Sequence, residues 1–131
     1  MRRTVQHVGF ILTILLVLGA TVPPFHQLKA HTHWGKAIWV PFADAHLVTR
    51  DLVVNVLLFV PFGLAGPWRR AQGPRRLLTA AIAGAALSLV VEFIQVFSHA
   101  RLPTATDVVI NTLGSVIGAA VLPRRADRSR A

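Results

Sequence analysis

Three short polar stripes hold most of the reactive side chains of this sequence. Ser88, Glu92, Gln95 and His99 are spaced 4, 3 and 4, and Asp107, Asn111, Gly114 and Gly118 repeat that spacing. Asp51 and Asn55 stand one helical turn apart. Steps of three and four residues keep side chains on one face of an α-helix. Two carboxylates in unlike surroundings can divide the roles of acid and base, so Glu92, Asp107 and His99 could serve an acid–base reaction. The same acids and amides could instead bind a polar head group by hydrogen bonds. No Ser-His pair or metal constellation supplies a nucleophile, which favours binding, and no residue is assigned a catalytic role.

Each of these residues also has a plainer use. Asp51 follows Thr49, and Asp107 follows Thr104 and Thr106, at the expected starts of helices. A carboxylate there stabilises the positive helix N-terminus and caps its free N–H groups. Asn55 and Asn111 are suited to hydrogen bonds between helices, each worth roughly 1 kcal/mol or less. Glu92 is harder to explain this way. It approaches the C-terminus of its own helix, where the dipole disfavours negative charge, and a charge deep in a membrane costs about 2.5–3.5 kcal/mol. A functional role is therefore expected for Glu92, with Arg101 as its natural counter-ion and Arg50 as the second choice.

The elements that must position these residues follow from composition. Of 131 residues 53% are hydrophobic and 15% charged, against about 25% charged in ordinary soluble domains. The apolar residues are concentrated in stretches 8–22, 52–68, 77–97 and 108–122. Four spans of roughly 20 residues use most of such a chain, leaving one long loop and short connectors. This excludes a disordered chain, a disulfide scaffold and a large soluble enzyme. With no cysteine, thiol chemistry and cysteine zinc sites are excluded too. The expected fold is all-α: a single membrane domain over 1–131, a bundle of four transmembrane helices near 6–22, 51–68, 77–98 and 106–122. The first span is expected to be an uncleaved anchor, because Leu18 stands where a signal cleavage site needs a small residue.

The formal net charge of +9 would suit a nucleic-acid binder, but the positions of the charges argue otherwise. Arg2, Arg3, Arg69, Arg70, Arg75, Arg76, Arg124, Arg125, Arg128 and Arg130 flank one side of the expected spans, and Lys29, Lys36, Arg50 and Arg101 the other. A 10-to-4 division of the basic residues is the pattern of the positive-inside rule. It places both termini and the 69–76 connection in the cytoplasm, and no nucleic-acid partner is expected. All the acids and amides of the polar stripes then lie in the outward halves of their helices. Asn55, Glu92, Gln95, Asp107 and Asn111, with Arg101 beside them, are expected to form one pocket open to the outside.

Ala80, Gly84 and Ser88 on the third span, and Gly114 and Gly118 on the fourth, are seams where backbones can approach. They are also a route to a homo-oligomer. Pro61 should kink the second span. DLVVNVL at 51–57 matches DVVINTL at 107–113 with an offset of 56, which also aligns Pro67 with Pro123, as in a parallel repeat. The long loop carries His31 and His33, half a metal site without carboxylates, so no metal and no cofactor are expected. Its segment 34–42, with Trp34 and Trp39, should rest on the outer head groups.

Asn55–Val–Leu–Leu–Phe–Val–Pro–Phe–Gly63, then Ser88–Leu–Val–Val–Glu92–Phe–Ile–Gln95, then Arg101 through Thr106–Asp107–Val–Val–Ile–Asn111–Thr–Leu–Gly114 resembles the VanZ-like family, with a core over 51–122. The resemblance implies a small integral protein of the bacterial plasma membrane. The family's namesake gives low-level resistance to teicoplanin, a glycopeptide aimed at cell-wall precursors. Some relatives carry a phosphotransbutyrylase label, but no glycine-rich phosphate loop is present here. The favoured expectation is an envelope protein binding membrane lipid, a lipid-linked wall precursor or a glycopeptide. Alternatives are a small oligomeric transporter or lipid translocator, for which the inner halves show no polar path, and an intramembrane acid–base enzyme.

Overall fold

A computed structural model describes residues 2–24, 27–32, 34–43, 48–98 and 102–121, with backbone only at 2 and 3. Among these the chain forms four α-helices and no strand: α1 (Arg2–Thr21), α2 (Thr49–Ala65), α3 (Gly73–Gln95) and α4 (Ala105–Val121). Two 3-10 helices, Trp34–Lys36 and Pro67–Arg70, lie between them. α1 and α3 are long and apolar enough to cross a membrane. α2 and α4, at 17 residues each, span about 26 Å by the helical rise, the lower end of what a bilayer needs.

Glycine decides which helix sits in the middle. A Cβ on Gly114 would strike the Val56 carbonyl oxygen. One on Gly118 would strike the Val60 oxygen and lie 2.9 Å from Leu64 N. Gly63 answers from α2, where a Cβ would meet the Ser115 oxygen. Residue numbers rise together along this contact, so α2 and α4 are parallel neighbours at backbone distance. On its other side α4 packs antiparallel to α3, with Gly84 directly against Ser115. α4 is thus the central helix, and α2 and α3 touch each other little.

α1 lies antiparallel on α2 and is mostly exposed. Val17 enters a core with Phe59, Phe62, Trp68, Ala80, Val91 and Ala119. Phe10 packs edge-on against Trp68, centroids 5.6 Å apart. α2 continues through Pro61 to Ala65. Trp68, expected at the end of that span, instead lies in the following 3-10 helix. It folds back so that its indole N–H donates to the Gly63 carbonyl at 2.8 Å, satisfying one of the acceptors a helix end leaves open. α3 begins at Gly73, four residues before the expected start, because Gly73 takes a positive φ of 56° and Pro74 has the fixed φ that suits a first turn. Every helix keeps a large apolar face outward, including Leu12 and Leu16, Val54 and Leu57, Leu78 and Ile82, and Leu113 and Ile117.

The long loop folds back over one end of the bundle. Lys29 N–H donates to the Phe97 carbonyl at 2.8 Å, and Ile38 bonds through its N–H to Pro103 O at 3.0 Å and through its carbonyl to Ala105 N at 2.9 Å. These make isolated bridges Leu28–Ser98 and Ile38–Thr104. The C-termini of α1 and α3 and the N-termini of α2 and α4 gather at this loop end. The opposite end carries the 3-10 helix Pro67–Arg70.

Candidate functional site: polar braces beside an apolar groove

The polar stripes meet at the loop end, where Asn55, Asn111, Gln95 and Glu92 each tie two elements together. Asn55 Nδ2 donates to Asp107 Oδ1 at 2.8 Å, joining α2 to α4. Asn111 Nδ2 donates to Ser88 Oγ at 2.9 Å, joining α4 to α3. Gln95 Nε2 donates to the buried Thr21 carbonyl at 3.0 Å, so α3 supplies a partner to one of the carbonyls that the C-terminus of α1 leaves open. Such bonds are worth about 0.6 kcal/mol on average in a membrane protein. Their value here is geometric, because they fix the rotation of three helices about α4. Two acceptors are left over: Gln95 Oε1 and Asn111 Oδ1 are buried without a hydrogen-bond partner among the described residues.

Glu92 has a use that its own helix does not reveal. Its Oε2 accepts the backbone N–H of Thr104 at 2.7 Å, and Thr104 immediately precedes α4. Thr104 Oγ1 in turn accepts the Asp107 N–H at 3.0 Å. The N-terminus of α4 therefore meets a cap of its own and a carboxylate from α3, and the positive end of its dipole faces Glu92. An expectation drawn from the α3 dipole alone found no structural reason for an acid at 92; the neighbouring helix provides one. Asp107 is likewise freed from capping, since Thr104 does that, and its carboxylate serves Asn55. Asp51 remains exposed. Arg101 and His99 lie outside the described residues.

Beside Glu92 runs an open groove of about 470 Å³. Its floor is α3 and α4 through Leu89, Phe93, Val96, Val108 and Val109, and its rim is the loop through Trp34, Ile38, Trp39 and Pro41. Trp34 and Trp39 stack with centroids 5.8 Å apart and planes 10° from parallel, and Trp34 also meets Phe93 at 6.1 Å. These tryptophans wall a groove as well as facing outward. Glu92 is 7% exposed and is the one carboxylate in the described wall. Asn55, Gln95, Asp107 and Asn111 stand behind it in the braces and do not line it.

Thr104 and Thr106 were not singled out as site residues by spacing. Thr106 Oγ1 accepts the N–H of Phe42 at 2.8 Å, holding a residue with φ 61°, a backbone state unusual without glycine. The signature of the first was legible, since Thr104–Ala–Thr–Asp107 has capping-box spacing. The second depends on a loop that only the fold brings near.

The family model described as VanZ/LLP1 matches residues 7–125. That is most of the chain, and the protein belongs to this family. No curated protein and no solved structure matches it.

Proposed function

We propose that this VanZ/LLP1 family member is a non-enzymatic, multi-pass protein of the bacterial plasma membrane that binds a lipid-linked cell-wall precursor at the outer leaflet. α1 to α4 are its four spans, and both termini share the side of the 69–76 connection. The carrying observation is the groove: an apolar trough of about 470 Å³ with a single described carboxylate in its wall. Its aliphatic and aromatic floor suits a hydrocarbon chain, and Glu92 suits the hydrogen-bond donors of a polar head. Asn55, Gln95, Asp107 and Asn111 keep the walls in place, and Arg101, outside the described residues, is proposed as the counter-charge to Glu92. Outward apolar faces on all four helices support membrane placement, and the 10-to-4 division of basic residues supports the orientation.

The test is Glu92→Gln. Gln keeps an oxygen to accept the Thr104 N–H and removes the burial cost of a charge, so the detergent-solubilised protein should melt at or slightly above the wild-type temperature. Lipid co-purifying with it, identified by mass spectrometry, should fall, as should any change in glycopeptide susceptibility that the wild type confers on a host. Unchanged lipid recovery at normal expression would remove Glu92 from the site. The orientation has its own check in this cysteine-free chain: a Gln72→Cys protein should resist an impermeant thiol reagent applied outside the cell.

A further inference from the structure

Among the described residues the two ends of the bundle differ in charge: at the loop end Lys29, Lys36 and Arg50 balance the acids, whereas the opposite end is purely basic. The described acids Asp51, Glu92 and Asp107 all belong to the loop end, and between Asp51 and Glu92 the sequence contains no acid. The 3-10 helix Pro67–Arg70 and the first turn of α3 hold Arg69, Arg70, Arg75 and Arg76 in that acid-free stretch. Asp127, the acid nearest the C-terminus, lies outside the described residues.

Two independent features at this end call for an anion. Arg76 is 8% exposed, and its Nε has no hydrogen-bond partner among the described residues. A buried guanidinium is unfavourable unless an opposite charge and hydrogen-bond acceptors meet it. On the α1 flank of the same 3-10 helix lies a second hollow of about 160 Å³. Its wall combines Arg69, Arg70, His7 and Gln6 with Phe10 and Pro67, so cationic donors and an apolar surface share one concavity. α1 rises from it with an exposed apolar face that includes Val8, Ile11 and Leu12.

We infer that the hollow beside Pro67–Arg70 binds the phosphate of an anionic phospholipid, with Arg69 and Arg70 as phosphate ligands and Arg76 adding its charge from the α3 side. Arginine forks match phosphate oxygens, and basic concavities between spans on the cytoplasmic side suit anionic head groups. The acyl chains run along the exposed face of α1. This inference shares the membrane placement proposed above but not the Glu92 groove, which is at the other end.

The test uses the full chain in nanodiscs of phosphatidylcholine with increasing phosphatidylglycerol. Phosphatidylglycerol should raise the melting temperature of the wild type, and native mass spectrometry should retain a bound molecule. In Arg69→Gln/Arg70→Gln the apparent affinity should fall about tenfold or more. The charge-matched Lys29→Gln/Lys36→Gln protein should keep the full response. Arg76→Gln should melt higher than wild type in pure phosphatidylcholine yet respond less to phosphatidylglycerol, two opposite shifts that a purely structural arginine would not give. If Arg76→Gln fails to fold, Arg76→Lys should fold and retain the response. Equal responses from both double variants would overturn the site, and so would inorganic phosphate reproducing the shift in neutral lipid, which would make the ligand a free anion. Because Glu92 is intact in all these proteins, failure here leaves the outer groove untouched.

Discussion

α2 and α4 begin alike and end up in different surroundings. Each is 17 residues long, each starts two residues before an aspartate, and each carries an asparagine one turn further on. The helices run parallel and in contact, so a symmetric pair would exchange two equivalent bonds, Asn55 with Asp107 and Asn111 with Asp51. One of these forms, at 2.8 Å. Asn111 turns instead to Ser88 on α3, and Asp51 stays in solvent. The difference lies in what covers each helix. α4 is flanked by α2 and α3 and has its first turn roofed by the loop at Phe42, whereas α2 meets its neighbours mainly along one face. Where α4 has Gly114 and Gly118, the equivalent positions of α2 hold Leu58 and Phe62. At the seam α4 supplies these two glycines, and the α2 backbone at Val56 and Val60 comes up against them. A repeated motif can therefore be legible while its two copies do separate work.

The largest effect should come from erasing that division. Gly118→Leu, which gives α4 a bulky residue as in α2, drives a side chain into the Val60 carbonyl. Backbone on the far side cannot yield as a side chain would, so the loss should exceed about 3 kcal/mol. It would be read as a collapse of the melting transition and loss of the monodisperse species on size exclusion. A reverse change on α2, Leu58→Gly at the position equivalent to Gly114, should leave a cavity and a smaller loss, since no backbone is displaced.

The bond that does form comes next. Asn55→Leu takes one amide donor from a partly buried Asp107, and losing a hydrogen bond to a charged group costs about 1–3 kcal/mol. Asn111→Leu is the sharper comparison: it removes an unpaired buried oxygen together with one bond to Ser88, so it should cost under about 1 kcal/mol. A double-mutant cycle of Asn55→Leu with Asp107→Leu should return a coupling near 0.6–1.7 kcal/mol, and a cycle of Asn111 with Asp51 should return none. Equal losses for the two asparagines would mean that the two helices are held symmetrically after all.

The smallest effect belongs to Asp51→Asn. An exposed residue at a helix start, bettered by no partner on another helix, should change stability by no more than about 0.5 kcal/mol. A loss as large as that of Asp107→Leu would mean that the second aspartate is engaged after all.

How much of this could be read beforehand divides along physical lines. Periodicity and hydropathy are properties of single helices, and they led to the right number of helices, to the inward faces bearing Ser88, Gln95 and Asn111, and to the glycine seams. Pairing is a property of two helices. Whether Asp107 would cap its own N-terminus or serve Asn55 depended on Thr104 already filling the cap. Whether Glu92 had a structural partner depended on which helix end stood beside α3. The groove was the least legible feature, because half its wall is loop. Trp34, Ile38 and Trp39 have no periodic signal, and their placement follows from two backbone bridges to residues more than sixty positions further along the chain.

Those bridges also set an order of events during synthesis. Leu28 and Ile38 leave the ribosome long before Ser98 and Thr104, so the loop has nothing to pair with while α2 and α3 are being made. Contacts this distant in sequence form late. The nascent protein passes through a stage with three helices and a rim of tryptophans but no floor from α4 and no Thr104 for Glu92. Only when the first turn of α4 emerges do the loop, the acid and the groove come into being together. A chain that stops short of that turn has no groove, so anything the groove were to hold would wait on completion of the last helix.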